Sequence, residues 1–301
     1  MNMADLGHKY GFRFLNIFSL LAFLCLSAPT VYAWDQKIFS VSPVHEISPK
    51  DFFEQLSDAN TIVLGEKHSN DKIQTTQAKV IKGVLDTLNN TSNFTLAWEF
   101  LDKIDAVKIK KAYDMVLRGV LSSSDFLLAI HGSHSTQSYI PIIEVAKKYG
   151  GQLLPVNLSR EQKAPVVERG LQGADPALIP TNFEMGSDAY FERFIEAMGG
   201  HGDMQKINNY FAAQCLTDDV MAYSILNNSN FDLTFLVTGH FHSDYDQGVV
   251  ARLLARAPGE RLYNVRFIDA SDYTQAELLQ MLEHPKYGSL ADFVVFVNEP
   301  V

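Results

Sequence analysis

"LVTGHFHSDYDQG", residues 236–248, leaves an apolar run at Gly239 and at once presents His240, His242, Asp244, Tyr245 and Asp246. A short apolar run ending in glycine suits a buried strand, because the glycine lets the chain turn sharply where it exits the sheet. "TIVLGEKHS", residues 61–69, has the same form: an apolar run, Gly65, then Glu66 and His68. These two matching exits set the frame in which the rest of the chain is read.

Four more runs have strand character: "FTLAWEF" at 94–100, "GQLLPVNL" at 151–158, "RLYNVRF" at 261–267 and "ADFVVFV" at 291–297. Amphipathic helical patterns separate the runs, near 71–88, 102–118, 138–149, 159–170, 187–198, 203–228 and 246–257. Strand and helix in alternation predict an α/β domain with a mainly parallel sheet flanked by helices. Residues 102–135 and 159–228 carry more helix than simple crossovers need, and they are expected to form a helical cap insertion over one end of the sheet. The most loop-like segment is "QGADPALIPTNFEMGSD" at 172–188. With no repeat or linker in view, residues 34–301 are read as one domain.

Residues 1–33 differ from this pattern. Lys9 and Arg13 precede "FLNIFSLLAFLCLSAPTVYA", an apolar run ending Val31-Tyr32-Ala33, which has the form of a secretory signal peptide and its cleavage site. The run is shorter than the ~20 residues that span a bilayer, and Phe23-Leu24 before Cys25 are too bulky for a lipidation signal. An exported protein, periplasmic or associated with the cell envelope, is therefore expected. Loss of that segment removes Lys9, Arg13 and Asp5 and leaves 23 basic and 34 acidic side chains, net −11. Such a balance argues against nucleic acid as a partner. Cys215 would then be the only cysteine, without an internal disulfide partner.

In open α/β sheets, ligands bind beyond the carboxyl ends of the strands. Parallel strands would bring Glu66, His68, Glu99, His240 and His242 to one rim although they are distant in sequence. Imidazole and carboxylate suit a divalent transition metal, and a carboxylate outside the coordination sphere can orient an imidazole or act as a base. A single G-x-x-H is more often an ordinary loop; two copies after matching strands, with a third strand ending in Glu99, give the pattern its weight. On the helical pattern 203–228, Gln214 and Asp218 stand one turn apart on a common face. His131 and His134, at i and i+3, are read either as polar loop residues or as a pair facing one ligand. Neither H-E-x-x-H, G-x-S-x-G, a P-loop nor G-x-G-x-x-G occurs, which sets aside the usual serine-hydrolase and nucleotide chemistries.

"LGEKH", "LAWEF" and "TGHFH" in this order resemble the superfamily of ChaN-like haem-binding uptake proteins, TIKI/TraB metalloproteases and erythromycin-esterase-like hydrolases, and ChaN most of all. "YIPIIEVAKKYGGQLLPVNLSR", "AQCLTDDVMA" and "GHFHSDYDQGVVARL" extend the resemblance over about residues 45–270. It implies a haem carrier that binds the cofactor non-covalently, a homodimer enclosing it, and exchange with outer-membrane haem uptake machinery. Tyr245 is the implied iron ligand and Tyr139 the second choice, with His240, His242, Gln214 and Asp218 around the cofactor and Arg252 or Lys67 as sources of positive charge. The metalloprotease branch implies a different reading, a metal-dependent peptidase or esterase with Glu66, His68, Glu99 and His242 holding a divalent transition metal and its nucleophilic water. The chain departs from the pattern at Ile73 and Gln74, where many relatives carry histidine, and at Val250, where proline is usual.

Overall fold

The computed structural model describes residues 34–89, 94–132, 134–200 and 202–298. The expected signal peptide, residues 1–33, lies outside the described residues. In chain order the elements are β1 (Lys37–Val41), β2 (Val44–Glu46), α1 (Pro49–Leu56), β3 (Thr61–Glu66), α2 (Asp71–Thr87), β4 (Thr95–Asp102), α3 (Ala106–Leu117), α4 (Ser123–His131) and α5 (Ile140–Lys148). They continue with β5 (Gln152–Asn157), α6 (Arg160–Arg169), α7 (Asp188–Ala197), α8 (Met204–Asn228), β6 (Thr234–Gly239), α9 (Gly248–Arg256), β7 (Leu262–Asp269), α10 (Gln275–Met281), β8 (Glu283–His284), β9 (Gly288–Ser289) and β10 (Phe293–Val297).

The main sheet runs β2-β1-β10-β7-β3-β6-β4-β5, parallel from β10 to β5 and antiparallel only at the β1 and β2 edge. Every residue of β3 and β6 is buried, as expected for central strands covered on both faces. Along one face, Val63, Ala97, Val156 and Leu236 pack against Met221, Ala222 and Ile225 of α8 and Val249, Val250 and Leu253 of α9. Val250, where the resemblance leads one to expect proline, is a core residue of this layer. Each such side chain withdrawn from water contributes about 1.5–3 kcal/mol. The long α2 packs with α1 and α5 and lies along β3, β7 and β10. A smaller cluster joins Phe39, Val41, Ile268 and Phe296 to Leu278, Leu282 and Leu290, and the Tyr245 ring packs against it.

Local chemistry starts the helices beside the rim. Asn70 caps α2 by accepting from the amides of Lys72 and Ile73, Ser159 and Gln162 form a reciprocal capping box on α6, and the Ser187 side chain caps α7. Register then fixes what shares that rim: Glu66 pairs with Gly239 between β3 and β6, and Trp98 with Val237 between β4 and β6. Glu66, Glu99 and the residues after Gly239 are therefore neighbours by strand pairing alone. The helical insertions expected at 102–135 and 159–228 are present as α3 and α4, and as α6, α7 and α8.

Candidate functional site

The rim holds two regions of different character, and the first is a closed polar network centred on His242. His242 Nδ1 lies 2.5 Å from Asp218 Oδ1, and Nε2 lies 3.3 Å from Glu99 Oε1. Gln214 Nε2 is 2.9 Å from His242 Nδ1 and donates to the Tyr190 hydroxyl, which donates in turn to Asp218 Oδ2 at 2.9 Å. Glu99 accepts from the Thr238 hydroxyl at 2.8 Å and from the Gly239 amide at 2.6 Å. Burial pulls the His242 pKa down, but the charges of Glu99 and Asp218 and their hydrogen bonds outweigh it and push the imidazole up to about 10. Burial likewise works to raise Glu99, yet the imidazolium and the Gly239 amide hold it well below the usual carboxylate range, while Asp218 is raised by burial.

A second histidine joins from the loop after β3. His68 Nδ1 is 3.0 Å from Glu66 Oε1, and its Nε2 is 3.9 Å from Glu99 Oε1. The Tyr139 hydroxyl donates to Glu66 Oε1, and Gln74 donates to Glu66 Oε2 at 2.8 Å and to the Lys67 carbonyl at 3.3 Å. Gln74, at a position where histidine is expected from the resemblance, thus belongs to the site as an amide that holds Glu66. Burial lowers the His68 pKa, but Glu66 and Glu99 more than offset it, so His68 is raised.

Two glycines make this close packing possible. A Cβ on Gly239 would lie 2.6 Å from His68 Nε2 and 3.4 Å from Glu99 Oε2. Gly248 has φ +55°, and a Cβ there would lie 2.5 Å from the His242 carbonyl oxygen and 3.1 Å from Asp218 Oδ1. The glycine at the head of this G-x-x-H exit is therefore required by side-chain approach; its backbone, φ −59° and ψ 138°, is open to any residue, so the sharp turn expected of it is not what selects glycine.

The second region is open. The chain turns at Tyr245, φ 63° and ψ 27°, a left-handed conformation uncommon for a residue with a side chain. Five ties hold it there. The Tyr245 amide donates to the Leu290 carbonyl at 2.8 Å, and the Asn264 amide donates to the Ser243 carbonyl at 2.7 Å and to Asp246 Oδ1 at 3.0 Å. Asp244 takes His240 Nδ1 at 2.7 Å and Arg266 Nε at 3.0 Å. The Tyr245 ring forms one wall of a cleft of about 420 Å³, with Ile268, Met281 and Leu290 as apolar lining, Arg266 and His284 as cationic or hydrogen-bonding groups, and Asp244, Glu277, Glu283 and Gln280 as the remaining polar lining. His284 stacks on Tyr287 at 4.6 Å, and both rings approach Tyr245. Behind it the Arg193 guanidinium lies 4.1 Å from the centre of the Phe241 ring and 5.6 Å from that of Tyr245, donating to Gln247 Oε1 and the Phe241 carbonyl. Burial and the Asp244 charge raise the Tyr245 pKa, and Arg193 and Arg266 act against them.

The structure thus brings Glu66, His68, Glu99, His242, Gln214 and Asp218 into one network, and turns His240 away from it toward Asp244. Tyr139 is buried with its hydroxyl on Glu66, so it supports the network and leaves Tyr245 as the tyrosine on an open wall. Arg252 is held by Asp219 at 3.1 Å and Glu184 at 3.4 Å; Lys67 is exposed. His131 ends α4 with its ring against Trp98 and Phe100; the His134 side chain lies outside the described residues. Among the described residues, no group of three or more His, Cys, Asp or Glu is arranged to hold a metal ion. Glu66, His68, Glu99 and His242 converge as expected, and the contacts they make are with one another and with Asp218. Sequence reasoning missed Arg193, Tyr190, Thr238, Asn264 and Arg266. Of these only Arg266 left a signal, as a charged residue inside a strand-like apolar run.

These features define an α/β protein with an open cleft at the carboxyl ends of a parallel sheet. Residues 52–253 match the family described as haem-binding uptake, Tiki superfamily, ChaN, and the chain belongs to that family. Its structure is similar to one described as cofacial heme binding to ChaN of Campylobacter jejuni, at 19% identity and a TM-score of 0.68, covering 88% of this chain and 97% of that one; at this identity the likeness establishes the shared fold. An erythromycin esterase EreC mutant in its open conformation gives 12% identity, coverage of 82% and 93%, and a TM-score of 0.44, too distant to carry an argument. No curated protein matches the chain.

Proposed function

We propose that this protein is an exported haem-binding protein of haem or iron uptake, holding haem non-covalently in the strand-end cleft with Tyr245 as the iron contact. One observation carries the reading: a half-buried tyrosine is fixed in a left-handed turn on the wall of an open cleft that offers apolar surface from Ile268, Met281 and Leu290, a guanidinium and an imidazole, with Asp244, Gln280, Glu277 and Glu283 completing the lining. A phenol oxygen for iron, apolar surface for a macrocycle and cationic or hydrogen-bonding groups for propionates are the set that haem needs. Arg266 and His284 supply the last of these. Export rests on the signal-peptide pattern of residues 1–33. A macrocycle laid against Tyr245 would keep its far face in water unless a second protomer covered it, and a homodimer that passes haem to outer-membrane uptake machinery belongs to the same proposal.

The hydrolase reading is weaker, because His242 is locked between two carboxylates and its ring nitrogens are already engaged. Haemin titration of the chain from Trp34 onward tests the proposal. A saturable Soret change at fixed stoichiometry, weakened at least about tenfold, or ~1.4 kcal/mol, in Tyr245→Phe, is expected. Equal binding by both proteins would remove Tyr245 as the ligand, and no saturable change in either would remove the function.

A further inference from the structure

The three most exposed large apolar side chains among the described residues are Ile104, Val107 and Val120, at 66%, 70% and 67%, and all fall between residues 104 and 120. The same stretch is the basic part of an acidic protein. Residues 103–120 contain Lys103, Lys108, Lys110, Lys111 and Arg118 against Asp105 and Asp114, a balance of +3 in a chain of −10. Helical geometry gathers the groups within α3, while Ile104 precedes the helix, at the lip of a cleft lined also by Asp102, Asp105 and Glu161, and Val120 follows it. Ile109, Tyr113 and Val116 bury the inner stripe of α3, which puts Val107, Lys111 and Arg118 on the outer one. Asp114 is occupied by Lys110 at 3.1 Å, and among the described residues no carboxylate pairs with Lys108, Lys111 or Arg118.

Exposed aliphatic side chains interleaved with unpaired cations have a clear physical complement. The alkyl groups lower their free energy by leaving water for an acyl boundary, and the long basic side chains reach back to anionic headgroups. We propose that α3 and the turn after it dock this protein onto an anionic lipid surface. The contact would be peripheral, since no described helix is long and apolar enough to cross a membrane. Each basic residue near such a surface adds to the attraction, so charge sets the choice of membrane and the aliphatic residues anchor it. Because α3 follows the carboxyl end of β4, docking here would place the strand-end rim beside the lipid. The proposal goes beyond the haem reading and does not depend on it.

Flotation of the chain from Trp34 onward with vesicles tests it, using phosphatidylcholine alone and phosphatidylcholine with phosphatidylglycerol. The expected result is co-flotation with the anionic vesicles only, falling steeply between low salt and about 0.5 M salt. Lys108→Glu/Lys111→Glu and Ile104→Ser/Val107→Ser should each weaken partitioning about tenfold or more, while Lys206→Glu, on another helix, should not. All are surface changes, and an unaltered thermal midpoint separates lost docking from lost folding. No flotation, equal flotation with neutral vesicles, or an equal loss in Lys206→Glu would overturn the proposal; the first of these would leave a protein partner as the patch's complement.

Discussion

The network around His242 and the cleft beside Tyr245 are both built from the loop after β6, yet they are opposites. In the network nearly every polar group meets another: His242 lies between Asp218 and Glu99, Glu99 also takes the Thr238 hydroxyl and the Gly239 amide, and Glu66 takes Tyr139, Gln74 and His68. Around Tyr245 the backbone is tied down but the ring, Arg266 and His284 face a cleft. A region whose groups are already satisfied has little left to offer a ligand and much to lose when a partner is removed. The neighbouring region can accept a ligand because the backbone ties that fix the Tyr245 turn leave its ring free on the cleft wall.

The largest expected effect lies in the network. Glu99→Ala leaves the His242 imidazolium and the Gly239 amide without their shared acceptor, and breaking a buried pair on one side costs about 3–5 kcal/mol. Chemical denaturation should show that loss, and a loss below about 1 kcal/mol would mean that the network is open to water. Acidity probes the same charges. Because the folded value of His242, about 10, exceeds its ordinary 6.5, its stabilisation is complete below pH 6.5 and disappears as pH rises through about 10. Glu99, depressed in the folded state, works in the opposite direction and loses its contribution in acid. Denaturation midpoints across this range should decline at alkaline pH in the parent and lose most of that slope in His242→Gln.

A smaller effect is expected from Gly248→Ala, where a methyl group would meet backbone at a positive φ; about 1–3 kcal/mol of destabilisation is anticipated. Tyr245→Phe removes one half-buried hydroxyl and should change stability by no more than about 0.5 kcal/mol. Its consequence should appear in haem binding alone. A large loss of stability in that variant would blur the division between the two regions.

The sequence displayed the frame of this molecule more plainly than its finish. All six parallel strands were legible, and most plainly the central ones, because strands covered on both faces must be apolar along their length; "TIVLG" and "LTFLVTG" can hardly be read otherwise. The β1 and β2 edge was not, since a three-residue strand with every residue exposed carries no hydrophobic pattern. The convergence of Glu66, His68, Glu99 and His242 followed from parallel pairing. Their use as ion-paired partners did not, because it depends on where Gln214 and Asp218 of α8 meet the loop. Arg193 was invisible for the same reason: its place against Phe241 is fixed by how α7 packs, and nothing in "YFERF" announces it.

The division of roles is tested most directly by titrating haemin into Tyr245→Phe and Glu99→Gln side by side, at a temperature where both are folded. The account predicts that Tyr245→Phe keeps its thermal midpoint and loses at least about tenfold in haem affinity, while Glu99→Gln loses stability and binds haem as the parent does. The reverse pattern, with haem binding surviving in Tyr245→Phe and lost in folded Glu99→Gln, would contradict it and move the ligand to the His242 network.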